Sequence, residues 1–465
     1  MKVDLTQLTC MDIHRKAMFM QDFYEKIMFD DNGISYSVKK IDGDEIRPFR
    51  PLDFMNCAVP DFSVWDTHNT VNAQGYYSYE DSVMTAGFYL AAQCYRYRVT
   101  GDKKALDEAY KAFRSLRIVY MFGVNENKPG FMCKPYGGRL SNQTVMDQYI
   151  GAIWGMFEFF PIASDETKCE IIEMSKSFAD FWRKNQYELY YFGNYWDMKK
   201  DYHAYNAIIT AMNMAAWHYT REDLYLAEAE RILQDAKWMY ETNMDVLKRD
   251  CLSALEERRE GKKAFEGGPV GFSNLYADYL EDDEFLFWES TAHAHYLALS
   301  ADIINRVKPD MIAADMPDLM YKWMDLWHYG VGEDCAPFYW YAINIRTGQW
   351  RSMPLTPLLP REEWPYAEKF EGYLSQIRYF SLASFGQAAE ITYLSNTDTK
   401  RKDEARLLAM KILNSLDGTR MRVFYDFDGE QLLPDLRHLY NMFYGNSVNL
   451  YLATYWRGKL IGIID

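Results

Sequence analysis

Two short runs in this sequence place a carboxylate where proton chemistry would want one. They are Ser78-Tyr79-Glu80-Asp81 and Thr144-Val145-Met146-Asp147, and each opens a stretch of helical periodicity. In both, Ser or Thr precedes the acidic residue by three positions. That is the spacing of a capping box, in which side chains bond the free amides at a helix start. Capping alone would account for both aspartates. The alternative use is acid/base catalysis, since two carboxylates facing one cavity can protonate a leaving group and activate water at a sugar. A general acid must keep its proton, and a helix N-terminus favours the ionised form. Aromatic burial or the second carboxylate would have to outweigh the dipole, and Tyr76, Tyr77, Tyr79, Tyr149 and Trp154 are close in sequence. Glu80 stands about 100° from Asp81 around a helix, so only one of the two is expected to point inward.

Other polar residues cluster near the same helix starts. His203, in Asp201-Tyr202-His203-Ala204-Tyr205-Asn206, and the segment Trp65-Asp66-Thr67-His68-Asn69 offer sugar contacts through His203, Trp65 and His68, and Tyr79, Glu80 and Tyr149 beside the two aspartates are further candidates for substrate binding. Trp288 and His293 are candidates at the start of a later helix. The loop Lys134-Pro135-Tyr136-Gly137-Gly138-Arg139 carries two cations just before Asp147, and Arg139 could form a bidentate bond to a carboxylate. The plain alternative is a surface arginine in a glycine turn. His293 and His295 look like a metal pair, but two positions apart on a helix they point about 200° from each other. Glu289, four before His293, is its better partner. No HExxH, EF-hand, zinc-spaced cysteine set, GxSxG, Walker loop or GxGxxG occurs. Neither a metal nor a cofactor is expected.

The elements that must hold these residues are helices. Apolar residues recur at helical spacing, and the segments pair into hairpins. The pairs run 80–99 with 103–121, 144–161 with 166–185, 203–219 with 222–242, 288–306 with 312–329, and 372–394 with 400–416. A last segment, 440–457, would take 246–260 or 6–29 as its partner. Short links join helices within a pair, and long ones, rich in Gly, Trp, Tyr, Asp and Arg, join pair to pair. That alternation places the long links at one end of the array. The repeats are long and dissimilar and both ends are aromatic, which suits a closed ring better than an open solenoid. Strands are expected within 33–38, 340–345 and 423–427. The reading is an all-α chain, one domain over 1–465, with the segment 1–75 packing on the ring.

Composition agrees with a globular protein: 49% of residues are hydrophobic and 17% aromatic. The formal charge of −16 argues against nucleic acid, whose phosphates need clustered Lys and Arg. Seven cysteines without a CxxC spacing favour reduced thiols and a reducing compartment. No apolar run approaches the ~20 residues needed to span a bilayer. Cytoplasm is the expected location, or periplasm or outside should a leader have been removed. No membrane partner is expected, and a homo-oligomer is compatible with the sequence.

The runs Tyr79-Glu80-Asp81, Gly87-Phe88, Thr100-Gly101-Asp102, Ala105-Leu106 and Ala109 resemble the first pocket helix of the unsaturated glucuronyl hydrolases, and Thr144, Asp147-Gln148-Tyr149 and Gly155 resemble the second. With the unsaturated rhamnogalacturonyl hydrolases these form glycoside hydrolase families 88 and 105, within the six-hairpin glycosidases. The likeness covers roughly 75–220. It implies an (α/α)6 toroid and removal of a terminal unsaturated uronic acid from an anionic oligosaccharide. It also implies Asp147 as acid/base and Asp81 as the partner that holds its protonation state and the sugar hydroxyls. His203 matches a sugar-contacting histidine only loosely. Three other readings remain: a hydrolase of intact glucuronides; a sugar epimerase or isomerase using His293 with His438; and a carbohydrate-binding protein in which both aspartates are caps.

Overall fold

A computed structural model describes residues 2–54, 72–191, 194–199, 203–234, 281, 283–288, 291–312, 316–325, 340–344, 346–347, 349–352, 383–417 and 442–465. Its helices, in chain order, are α1 (Ile13–Ile27), α2 (Ala73–Tyr79), α3 (Ser82–Thr100), α4 (Lys103–Asn125), α5 (Met146–Phe159), α6 (Asp165–Lys184), α7 (His203–Thr220), α8 (Asp223–Gln234), α9 (Thr291–Val307), α10 (Met316–Asp325), α11 (Phe385–Ser395), α12 (Thr399–Ser415) and α13 (Gly445–Leu460). Two kinds of helix alternate, and their sequences say why. In α6, Ile171, Met174, Phe178, Ala179 and Trp182 recur on one buried face while the rest meets water. In α3 and α5 the apolar and small residues run all round, and nearly every position is buried. A helix apolar on all sides must be enclosed by others.

The packing follows. α3 lies against α5, α5 against α7, α7 against α9, α9 against α11, α11 against α13, and α13 against α3. The inner helices thus close a ring, with α4, α6, α8, α10 and α12 outside it. α1 packs on α13, so the N-terminal segment supplies the outer partner for the last inner helix, and 246–260 lies outside the described residues. The architecture is an (α/α)6 toroid. Links within a hairpin are tight. Gly101 takes a left-handed φ of 66° to stop α3, and Asp102 caps α4 by accepting from the Lys104 amide. Among the described residues no helix is long and apolar enough to cross a membrane.

Strands are few and lie in the long links or at the chain's ends. β1 (Val38–Asp42) and β2 (Glu45–Arg47) form a hairpin through the positive-φ Gly43. β3 (Glu188–Tyr191) pairs with β4 (Asn194–Asp197), and β5 (Glu284–Trp288), β6 (Trp340–Asn344) and β7 (Trp350–Ser352) form a second small sheet. β8 (Met442–Tyr444) joins β1 antiparallel, with Val38 opposite Tyr444. The strand expected over 33–38 therefore begins only at its end, where pairing with β8 starts. β6 coincides with 340–344, and 423–427 lies outside the described residues.

The inner helices run parallel, so their ends form two distinct surfaces. At the C-terminal end Arg98 of α3 donates to Glu158 of α5 at 2.6 Å, Arg306 of α9 also reaches Glu158, and Arg457 of α13 donates to Asp302 of α9 at 3.0 Å. Burial would raise the Glu158 carboxyl, but Arg306 and Arg98 hold it down to about 2. This ionic floor ties four inner helices together.

α3 and α5 touch backbone to backbone. A Cβ on Gly87 would stand 2.1 Å from the Gly151 carbonyl oxygen, and one on Gly155 would stand 2.5 Å from that of Gly87. No rotamer relieves such a clash, because the obstacle is main chain. Gly87→Ala is expected to destabilise the fold by about 3 kcal/mol or more, read as a lower urea midpoint. A midpoint equal to wild type would show that the two helices do not meet there.

Candidate active site

Neither aspartate caps its helix. α2 runs through Ser78, whose carbonyl accepts from the Ser37 amide at 2.9 Å, so Ser78 is not a helix start. Asp81 occupies the N-cap position of α3 without a capping bond. Thr144 donates its hydroxyl to the Met132 carbonyl, and α5 begins after Val145 with no side-chain cap. Both carboxylates are released for other work at the N-terminal end of the ring.

The glycine contact brings them to one place. Gln148, next to Asp147, accepts from the Met84 amide of α3 at 3.4 Å and donates through Nε2 to Asp81 Oδ1 at 3.3 Å. The other oxygen of Asp81 accepts from the Tyr444 hydroxyl. Asn446 Nδ2 donates to that same hydroxyl at 2.8 Å, leaving the phenolic proton for Asp81. Asp81 is therefore gripped from three sides of the ring by α5, by β8 and, through Tyr444, by α13. Both its oxygens accept, the arrangement an ionised carboxylate wants.

Asp147 is held differently. Its Oδ1 is buried and has no hydrogen-bond partner among the described residues. Burial pushes its carboxyl up, Lys134 pulls it back, and Asp81 and Glu80 add to the rise, with a balance of about 7. The dipole of α5 acts against this and does not prevail. A carboxyl that titrates near neutrality beside a second carboxylate has the proton affinity a general acid needs.

Glu80 belongs to the cluster as well, contrary to the expectation that only one of the adjacent acids would point inward. The pair stands at the junction of α2 and α3, outside either helix, so the 100° rule does not govern it. Glu80 forms an ion pair with Lys134 and accepts from the Tyr136 hydroxyl at 2.6 Å. Lys134 is only 2% exposed. Burial would lower its ammonium, but Glu80, Asp147 and Asp81 hold it charged.

Several expected contacts are redirected. Tyr149 is fully buried, packs on Phe178 and Trp182, and donates to the Gly130 carbonyl at 2.8 Å, so it faces the outer helix and not the mouth. Tyr79 donates to Asp30 at 2.9 Å and packs on Tyr36, which takes its hydroxyl away from a sugar. Arg139 is exposed, and the buried cation of its loop is Lys134 instead. Trp154 and His295 pack on Phe88 inside the ring, and burial lowers the His295 imidazole to about 3, so it is neutral. His203 opens α7 and His293 lies in the first turn of α9, both at the mouth end. Their side chains and that of Trp288 lie outside the described residues, as do Trp65, His68, Glu289 and His438.

Sequence reasoning missed Tyr444, Gln148 and the buried role of Lys134. Lys134 sits between Phe131-Met132-Cys133 and Pro135-Tyr136, and a lysine inside so apolar a run must find a carboxylate. Tyr444, 363 positions from Asp81, left no local signal.

The raised Asp147 carboxyl has a thermodynamic signature. Between its unfolded value near 3.8 and about 7 the folded protein binds more protons, so stability falls as pH rises. Relative to Asp147→Asn, the wild type is expected to lose a few kcal/mol from pH 4 to pH 7, at about 1.4 kcal/mol per pKa unit, and to level off above. A difference in unfolding free energy independent of pH would refute the assignment.

No protein-family model and no curated protein matches the chain. Among solved structures it is similar to an inactive variant of an α-1,6-mannanase of Salegentibacter sp. HEL1_6 in complex with α-1,6-mannotriose, at 10% identity over 97% of this chain and 100% of that one, with a TM-score of 0.43. It is also similar to an unsaturated glucuronyl hydrolase specific for heparin, at 10% identity over 99% of this chain and 98% of that one, with a TM-score of 0.47.

Proposed function

We propose that the chain is a glycoside hydrolase that removes a terminal uronic acid, an unsaturated 4,5-glucuronyl or galacturonyl residue, from an anionic oligosaccharide. The observation that carries the acid/base reading is Asp147: a half-buried carboxyl whose buried Oδ1 has no partner among the described residues, titrating at about 7, beside an Asp81 whose oxygens are both engaged. The choice of sugar rests on the resemblance of 79–109 and 144–155 to the unsaturated uronyl hydrolases. In this reading the Asp147 proton goes to C4 of the enol ether, and the C4–C5 π pair forms the new C–H bond. The oxocarbenium ion left at C5 takes up water, which returns a proton to Asp147. The resulting hemiketal opens and the C1 hemiacetal releases the remaining sugar. One water is consumed and the carboxyl is regenerated. Asp81, as a fixed negative neighbour, keeps the proton on Asp147 and stabilises positive charge at C5.

Lyase-generated unsaturated disaccharides test this directly. Wild type is expected to abolish the absorbance of the conjugated double bond, with a rate that declines on the alkaline side of about pH 7 as Asp147 loses its proton. Asp147→Asn is expected to lower kcat by about 10²–10⁴. Sugar released only from intact glucuronides would replace the enol-ether step with ordinary hydrolysis. Sugar binding without turnover of either substrate would end the enzymatic reading.

A further inference from the structure

The buried Lys134 and the partly buried Glu80 form an ion pair that the acid/base step itself does not use. The segment carrying Lys134 is fastened on both sides. Its amide donates to the Gln143 carbonyl at 2.8 Å, and its carbonyl accepts from the Ser141 hydroxyl at 2.7 Å. Glu80 is held from its second oxygen by Tyr136, two residues on in the same segment. Tyr136 packs against Tyr76 of α2 with the rings tilted and their centroids 5.6 Å apart. One cation and one anion are thus locked between α2 and the loop that enters α5. Such a pair is costly to bury, and hydrophobic residues of similar volume would often serve stability as well. Its place next to Asp81 and near Asp147 gives the pair an electrostatic use other than stability.

We propose that the Lys134–Glu80 pair is a positioning unit for Asp147, one that sets the electrostatic field in which that carboxyl gives up and recovers its proton. The inference rests on Asp147 being the acid/base of the proposed reaction. Among the described residues the charged groups that act on Asp147 are Lys134 from the loop and Asp81 and Glu80 from the α2–α3 junction. Asp81 is fixed by Tyr444 and Gln148. The pair is the adjustable part: Lys134 favours the ionised form of Asp147, and Glu80 both opposes that directly and neutralises the lysine.

The test reads Asp147 without substrate. The protonated-carboxyl stretch, assigned by its loss in Asp147→Asn, is followed against pH by infrared difference spectroscopy, alongside the alkaline limb of the rate profile. Glu80→Gln removes the ion-pair partner of Lys134 and one negative neighbour of Asp147, and is expected to shift the midpoint downward, a tenfold or greater fall in the proton affinity of Asp147. Lys134→Met/Glu80→Gln removes both charges and brings it back toward wild type. Tyr136→Phe takes from Glu80 a donor that favours its ionised form, so Glu80 holds its charge less firmly and the midpoint moves down by less than in Glu80→Gln. An unchanged midpoint in whichever of Glu80→Gln and Tyr136→Phe folds overturns the inference. If the midpoints move as expected but wild type turns over no uronide, the field remains and the proposed reaction is what fails.

Discussion

The mouth of the ring depends on the contact between α3 and α5 at Gly87, Gly151 and Gly155, where two backbones meet without side chains between them. Helix axes usually stand 8–10 Å apart because side chains set the distance. Removing three side chains lets these two approach more closely than any other pairing of residues would allow. Asp81 and Asp147 lie just N-terminal to that contact, so the same approach joins the two helix starts through Gln148. The carboxylates are neighbours because of glycines more than a turn away.

The two ends of the ring treat charge in opposite ways. At the floor, Arg98, Arg306 and Arg457 meet Glu158 and Asp302, and Glu158 is driven down to about 2. Burial pushes Glu390, neither of whose oxygens is hydrogen-bonded among the described residues, well above its ordinary value. Charges there are settled, and they hold helices together. At the mouth, three carboxylates share one buried lysine. Negative charge is in excess there, and Asp147, whose Oδ1 is buried without a hydrogen-bond partner among the described residues, bears the consequence. The same residue types thus make a brace at one end and a cluster with a raised carboxyl at the other.

The hairpins were legible because enclosed and half-exposed helices have different sequence textures, and because tight links such as Thr100-Gly101-Asp102 announce themselves. The ring was legible from the alternation of short and long links. The two aspartates stood out by type and position, yet their capping pattern was misleading: α2 continues to Tyr79 where a loop was expected, and Thr144 turns back to Met132. Tyr149 was misplaced through sequence proximity. Two positions beyond Asp147 it stands about 200° round the helix, and a residue there cannot share the mouth. Tyr444 was beyond reach, since a contact across the closing seam has no local signature.

That seam has a consequence for how the molecule comes to exist. β1 pairs with β8, and α1 packs against α13, so the earliest and latest described parts of the chain are sewn together. A chain emerging from a ribosome presents α3 to α6 long before the strand that completes their surroundings. Until that strand arrives, β1 offers an open edge, and Asp81 lacks the tyrosine that steadies it. Contacts this distant in sequence form late and slowly. During synthesis α3 and α5 therefore precede the strand that completes the surroundings of Asp81.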